Sequence, residues 1–493
     1  MISISSIYSK NTKFITYNVT IKLNLSSYLQ NCFYMRKRKF IKVIIVSLLL
    51  FIALFIWLTF NLFPAISGYG AKNLASAIYL QHRDKAAVLR EDLSDFPVSI
   101  GSFTVNDKDS SVTGSVWGLA KRKAIYRKGV GCTLVNDFSE VDIRQQNFTL
   151  PSKPIINLDS IPWPYGDKLS DTVKSTVDNE LLQKVVDNAM NETNAKGLPA
   201  YTRAVLVVYD GKIIAEKYAP KFDRKTVMLG WSVSKSLIAA MIGILIKENK
   251  LSLDAPAPIA EWAGTKKQTI SLKNLLQQTT GLDFVENYSM PSSVTDMLFS
   301  KGDMAAYTAA LSLKYTPGSV FNYSSGNTNI LSKIIRQTVG EKEYPAFPYK
   351  ELFYKINAYS FLLEPDASGT YIGSSYSYAT ARDFARFGLL YYNKGVWKGE
   401  QLLPENWVKE STQPSLADKR KHYGYQFWLN GTDTKDATKR WYPDVPADMF
   451  FCDGYGGQDI YIIPSKKLVI VRLGLHTIDE NKFLKEVIEA IKN

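Results

Sequence analysis

Residues Val43–Phe60 form an apolar run of 18 residues broken only by Ser47 and Thr59. A run of that length with no polar face suits a helix that crosses a bilayer better than one packed in a globular core. The cluster Met35-Arg36-Lys37-Arg38-Lys39, followed by Lys42, stands directly before it. Basic residues on that side hold an N-terminus in the cytoplasm, so the rest of the chain is expected outside it. The same cluster explains the charge. Of the formal +14, residues 1–63 carry eight basic groups and no acidic one, leaving the other 430 residues at +6. A mildly basic remainder of that kind argues against nucleic acid as a partner.

The span is expected over residues 40–62, and membrane contact is expected through it. Ala65-Ile66-Ser67 offers a small-residue cleavage site, but the apolar run exceeds a usual signal core, which favours a retained anchor. Residues 1–34 are rich in Ser, Asn and Tyr without periodicity, and read as an unstructured extension ahead of an alternative start at Met35. Three cysteines in an exported chain give no disulfide framework; at most Cys132 pairs with Cys452.

With 493 residues, 46% of them hydrophobic, the chain has room for two or three domains with ample core. Residues 64–170 read as a strand-poor lead-in, with a helix around 71–89 and short β-rich pieces such as Ala124-Ile125-Tyr126. Pro151, Pro154, Pro162 and Pro164 mark a linker. From residue 171 to 493 the pattern becomes regular. Apolar residues at 181, 182, 185, 186 and 189 have helical spacing. Ala204–Tyr209 and Lys212–Tyr218 flank Asp210-Gly211, a preferred two-residue hairpin turn. Ile460–Ile463 and Leu468–Leu473 form a second hairpin, and a helix follows over 479–492. Strands at both ends of a helical middle predict one antiparallel sheet built from distant segments.

The chemistry begins at Gly230-Trp231-Ser232-Val233-Ser234-Lys235, which holds the only serine followed by lysine three places on. Leu237, Ile238, Met241, Ile242, Leu245 and Ile246 continue with helical period. Ser232 therefore starts a helix, and Lys235 lies on its face within reach of the hydroxyl. By itself the pair also fits a plain helix cap with a solvated lysine. Tyr323 sits where Phe321-Asn322-Tyr323-Ser324-Ser325-Gly326 turns into a helical run, and Cys452-Asp453-Gly454-Tyr455-Gly456-Gly457-Gln458 leads into the last strands. A glycine pattern entering a strand is a poor nucleotide signal. His82, His422 and His476 lack ligand spacing, so no metal or other cofactor is expected. Lys121-Arg122-Lys123 and Lys419-Arg420-Lys421 read as solvated faces.

These motifs, with Ile270-Ser271-Leu272-Lys273-Asn274-Leu275-Leu276, Gly373-Ser374-Ser375, the run 379–388 and Tyr423-Gly424-Tyr425-Gln426-Phe427-Trp428, keep a characteristic order over residues 175–490. In them the chain resembles the penicillin-recognising serine hydrolases of the class C β-lactamase type, and most closely the branch of 6-aminohexanoate-dimer hydrolase and related esterases and amidases. The resemblance implies an α+β fold of the β-lactamase/transpeptidase kind: an antiparallel sheet flanked by helices, a helical subdomain and here an N-terminal transmembrane helix. It implies Ser232 as nucleophile, Lys235 and Tyr323 sharing the general base and acid roles, and an oxyanion hole from the backbone N–H groups of Ser232 and Tyr455. Tyr288, Ser325, Asp453 and Gly454 become candidate substrate contacts.

Two departures narrow the substrate. Such enzymes usually carry Lys-Thr-Gly or His-Thr-Gly at the third motif, where this chain has Cys452-Asp453-Gly454, and Tyr323-Ser324-Ser325 ends in serine in place of asparagine. Both changes point to small esters or linear amides. A non-catalytic sensor on the same fold, or a β-lactamase or peptidase, are the alternatives.

Overall fold

The computed structural model describes residues 14–169, 176–194, 197–433, 435–436 and 438–492, with side chains from residue 27 onward. The chain divides between Asn61 and Leu62 into two units. The first is the helix Phe14–Asn61. Among the described residues one helix is long and apolar enough to cross a membrane, it lies near the N-terminus, and its apolar stretch is not buried. The extension expected to be unstructured over 1–34 is helical from Phe14 onward, and residues 1–13 lie outside the described residues. Helix propagation adds one hydrogen bond per residue once a nucleus exists, so the apolar segment carries a sequence of neutral propensity with it.

The second unit begins with helix Phe63–Tyr79, followed by helix Lys85–Glu91. The single helix expected over 71–89 is therefore two, separated at residues 80–84, where His82 takes a left-handed backbone. The lead-in is also not strand-poor. Gly101–Asn106, Ser111–Val116, Leu119–Arg127 and Gly131–Leu134 form a four-stranded antiparallel sheet in that order. The first of these strands and the start of the third alternate partly buried residues with exposed Ser, Thr and Lys, so no apolar run betrays them. Helix Phe63–Tyr79 lies across this sheet, so close that a Cβ at Gly114 would collide with the carbonyl of Ser67. The boundary expected at residues 170 and 171 falls outside the described residues.

The main sheet has six strands in the order Trp428–Leu429, Phe450–Gly454, Gln458–Ile463, Leu468–Leu473, Ala204–Tyr209 and Lys212–Tyr218, all antiparallel. The distant segments meet in the register Val469↔Val208 and Val471↔Leu206. At the Asp210-Gly211 turn both residues have positive φ, 46° and 76°, which is what this two-residue hairpin demands. Both sheet faces are covered. Leu206, Val208, Ile460, Ile462, Val469 and Val471 join the core under helices Val233–Lys247 and Ala381–Tyr392. Val205, Val207, Tyr461, Ile463, Leu468 and Ile470 face the opposite core, with helices Asn179–Asn191 and Glu480–Glu489. Period-two alternation explains the split: one residue goes to each core in turn. Between the sheet halves lies the helical region, with Leu272–Leu276, Ser293–Ser300, Met304–Ala310 and Ser325–Val339. Cys132 and Cys452 do not pair. Both are free and buried, in separate cores.

Candidate active site

Ser232 is the N-cap of helix Val233–Lys247, and its side chain makes no capping bond. The hydroxyl is left to the lysine one turn on. Lys235 Nζ donates to Ser232 Oγ at 2.8 Å, to Ser325 Oγ at 3.0 Å and to the Ser374 carbonyl at 3.0 Å. An ammonium has three donors, and all three are used. The rest of Lys235 is buried, and burial lowers its pKa to about 8, against the opposing pull of the Glu286 and Asp453 carboxylates. The ammonium lies 4.9 Å from the centroid of the Tyr323 ring.

Tyr323 reaches the site from the turn before helix Ser325–Val339, wedged against Tyr423 at 5.6 Å and Trp428 at 5.1 Å. Burial raises the phenol well above its ordinary pKa, with the neighbouring Ser232 hydroxyl pulling the other way. The phenol therefore remains a proton donor at neutral pH. An open groove of about 490 Å³ runs from Tyr323 past Glu286, Phe284, Phe321 and Tyr315.

The third motif is the end of strand Phe450–Gly454 and the turn beyond it. A Cβ at Gly454 would collide with the carbonyl oxygen of Gly230, so only glycine lets this strand come so close to the turn that carries Ser232. Among the described residues no acceptor takes the backbone N–H of Ser232 or of Tyr455. Backbone donors left unpaired in this way are what an oxyanion hole requires. The Tyr455 turn is fixed from behind. Gln458 Nε2 donates to the Tyr455 carbonyl at 3.2 Å, and Arg472 donates to the carbonyls of Gly457 at 2.9 Å and Gly456 at 3.3 Å. Asp453 is half-buried, and its carboxyl is pushed up to about 7 by burial and by the Glu480 charge, with Lys235 opposing.

Of the residues singled out from the sequence, Lys235 and Tyr323 meet Ser232 directly and Ser325 meets Lys235, while Gly454 packs against the Gly230 carbonyl and Tyr288 lies against Tyr455. Sequence reasoning missed Glu286. Its Oε1 accepts from Ser325 Oγ at 2.6 Å and from Tyr288 Oη at 2.9 Å, and its Oε2 accepts from the Ser325 backbone N–H at 2.8 Å. A carboxylate at that helix's first residue is favoured by the dipole as well. Tyr288 in the same loop is a candidate substrate contact by resemblance alone, and nothing in a lone Glu-Asn-Tyr announces a hydrogen bond to a helix 39 residues away.

A family model described as Beta-lactamase matches residues 182–477, more than half of the chain. A 6-aminohexanoate-dimer hydrolase of Paenarthrobacter ureafaciens is 26% identical over 303 residues, which is 55% of this chain and 72% of the relative. An uncharacterised protein of Alkalihalophilus pseudofirmus is 20% identical over 302 residues, 55% of this chain and 82% of the relative. Among solved structures, a Bacillus anthracis protein provisionally described as a 6-aminohexanoate-dimer hydrolase matches with a TM-score of 0.52 at 21% identity, covering 66% of this chain and 87% of that one.

Proposed function

The chain belongs to the β-lactamase family and is a serine hydrolase, and on that premise we propose that it cleaves small esters or linear amides through a covalent acyl-Ser232 intermediate. The observation that carries this is the Lys235 ammonium at 2.8 Å from Ser232 Oγ, buried and with its pKa brought down to about 8. Of the two groups beside the serine hydroxyl, Lys235 lies nearer neutrality than Tyr323, so in this reading its neutral form takes the serine proton as Oγ attacks. Tyr323, held protonated, hands a proton to the leaving group. The N–H groups of Ser232 and Tyr455 hold the oxyanion, and a water molecule then releases the acid. Asp453, where relatives place a hydroxyl beside a cation, gives a substrate carboxylate no welcome. The 26% identical relative, named for hydrolysis of the 6-aminohexanoate dimer, supports a substrate other than a β-lactam. The helix Phe14–Asn61 supports a membrane anchor, and the basic residues Arg36, Lys37, Arg38, Lys39 and Lys42 before its apolar run support a catalytic unit outside the cytoplasm.

The test is turnover by the full chain in detergent. Release of p-nitrophenol from the acetate and butyrate esters is expected, with little hydrolysis of a penicillin. Rapid penicillin turnover would overturn the assigned meaning of Asp453, and no turnover of either would favour a binding role.

The pH profile tests the base. Activity should rise with pH as Lys235 loses its proton, with a midpoint near 8. The Glu286 carboxylate stabilises the ammonium, so Glu286→Gln should move that limb to lower pH by roughly half a unit to one unit. A limb that moves upward, or does not move, would remove Lys235 from the role of base.

A further inference from the structure

The helix Phe63–Tyr79 lies outside the residues matched by the family model, yet one of its side chains stands one layer behind the nucleophile. Tyr69 stacks on Trp231, with ring centroids 6.1 Å apart and planes within 10° of parallel. Trp231 immediately precedes Ser232 and has φ of +45°, the left-handed region that a bulky residue adopts only when its surroundings impose it. Its ring is enclosed on three sides. Tyr69 covers one face, Tyr376 lies at 5.5 Å, and Tyr455 meets it edge-on at 5.7 Å. Trp231 therefore touches both halves of the oxyanion hole: its own chain continues into the Ser232 N–H, and its ring abuts the residue that carries the other N–H.

Tyr69 itself is anchored. Phe299 meets its ring edge-on at 5.6 Å. Three and seven residues along the same helix, Lys72 and Ser76 are buried and both bond to Glu364. Spacing of three and four residues keeps these side chains on one helix face, so the face that seats the helix also delivers the tyrosine. Loss of that ring would leave a left-handed tryptophan with one flank open, and the turn would be free to relax toward an ordinary conformation.

We propose that Tyr69 is a positioning residue for the nucleophile: through Trp231 it holds the turn that presents Ser232 and aligns its N–H with that of Tyr455. The proposal rests on Ser232 being the nucleophile. It makes the segment between the apolar helix and the family-matched region a working part of the active site and not a spacer.

The experiment compares Tyr69→Ala, Tyr69→Phe and Val88→Ala in the full chain, below the unfolding temperature of each. Val88 is buried in helix Lys85–Glu91, within the same core but not among the rings that enclose Trp231, so its truncation reports general loosening. The readouts are the rate of fluorophosphonate labelling at Ser232, kcat and KM on p-nitrophenyl butyrate, and hydrogen exchange over residues 229–236. Tyr69→Ala should label about tenfold more slowly and lose about tenfold in kcat, with KM within about twofold and faster exchange over 229–236. Tyr69→Phe keeps the ring and should match the wild type, as should Val88→Ala. Wild-type rates in Tyr69→Ala overturn the proposal, and so does equal slowing in Val88→Ala. If wild type itself does not label at Ser232, the catalytic assignment fails separately. Exchange then still decides whether Tyr69 holds the turn, and unchanged exchange in Tyr69→Ala overturns it.

Discussion

Ser232→Ala is expected to lower kcat/KM on p-nitrophenyl butyrate by on the order of 10⁴-fold and to abolish fluorophosphonate labelling, while leaving the fold intact. The size follows from the role: without the hydroxyl no acyl-enzyme forms, and only the two backbone donors and the groove remain to favour the transition state. The fold should survive because Ser232 Oγ makes no capping bond and its partners are the side chains of Lys235 and Tyr323 within the site itself. Lys235 in the variant keeps Ser325 Oγ and the Ser374 carbonyl. The loss of each hydrogen bond is worth about 1 kcal/mol, so the thermal midpoint should move by only a few degrees. Comparable ester cleavage by wild type and variant would end the assignment of Ser232 as nucleophile.

The largest effect on stability is expected at Lys72, far from any reacting atom. Its ammonium bonds to the Glu364 carboxylate and to the Cys132 carbonyl at 2.7 Å. The two charged side chains are exposed to only 1% and 0%. Ser76 Oγ at 2.9 Å and the Cys132 N–H at 2.6 Å complete the shell of Glu364. The cluster joins helix Phe63–Tyr79 and strand Gly131–Leu134 to the segment that follows strand Leu362–Leu363. Lys72→Met removes the countercharge and leaves a carboxylate that water cannot reach, which costs about 3–5 kcal/mol. Replacing both partners, as Lys72→Met with Glu364→Met, should recover most of that, since the apolar pair leaves no unpaired charge. Denaturant unfolding of the three proteins measures it. A single variant as stable as wild type would mean that the pair contributes nothing to the packing of the lead-in.

The two predictions fall on opposite sides of what the sequence could disclose. Ser232, Lys235 and Tyr323 were legible as a set through the resemblance of their motifs to the serine hydrolase family, while helical period by itself puts Lys235 on the face of Ser232 and the turn by itself puts Tyr323 before a helix. The hairpins at 204–218 and 458–473 were legible for the same local reason, with Asp210-Gly211 naming its own turn. Glu286, Tyr69 and the Lys72–Glu364 pair carried no such signal. Each acts on a partner far along the chain: Glu286 on Ser325, Tyr69 on Trp231, Lys72 on a carboxylate 292 residues away. Strand Gly101–Asn106 and the first half of strand Leu119–Arg127 were missed because their alternation runs through Ser, Thr and Lys.

By itself the sequence determined the apolar helix and the sheet hairpins, since hydrophobic periodicity and turn chemistry are local and act before any tertiary contact forms, and its motifs carried the serine–lysine–tyrosine set through their family resemblance. Only the tertiary structure decided how that set is tuned: which groups bury Lys235, which carboxylate faces it, and which ring holds Trp231 in a left-handed turn. Burial, charge proximity and ring stacking depend on distances between segments that the chain brings together only when the whole unit closes.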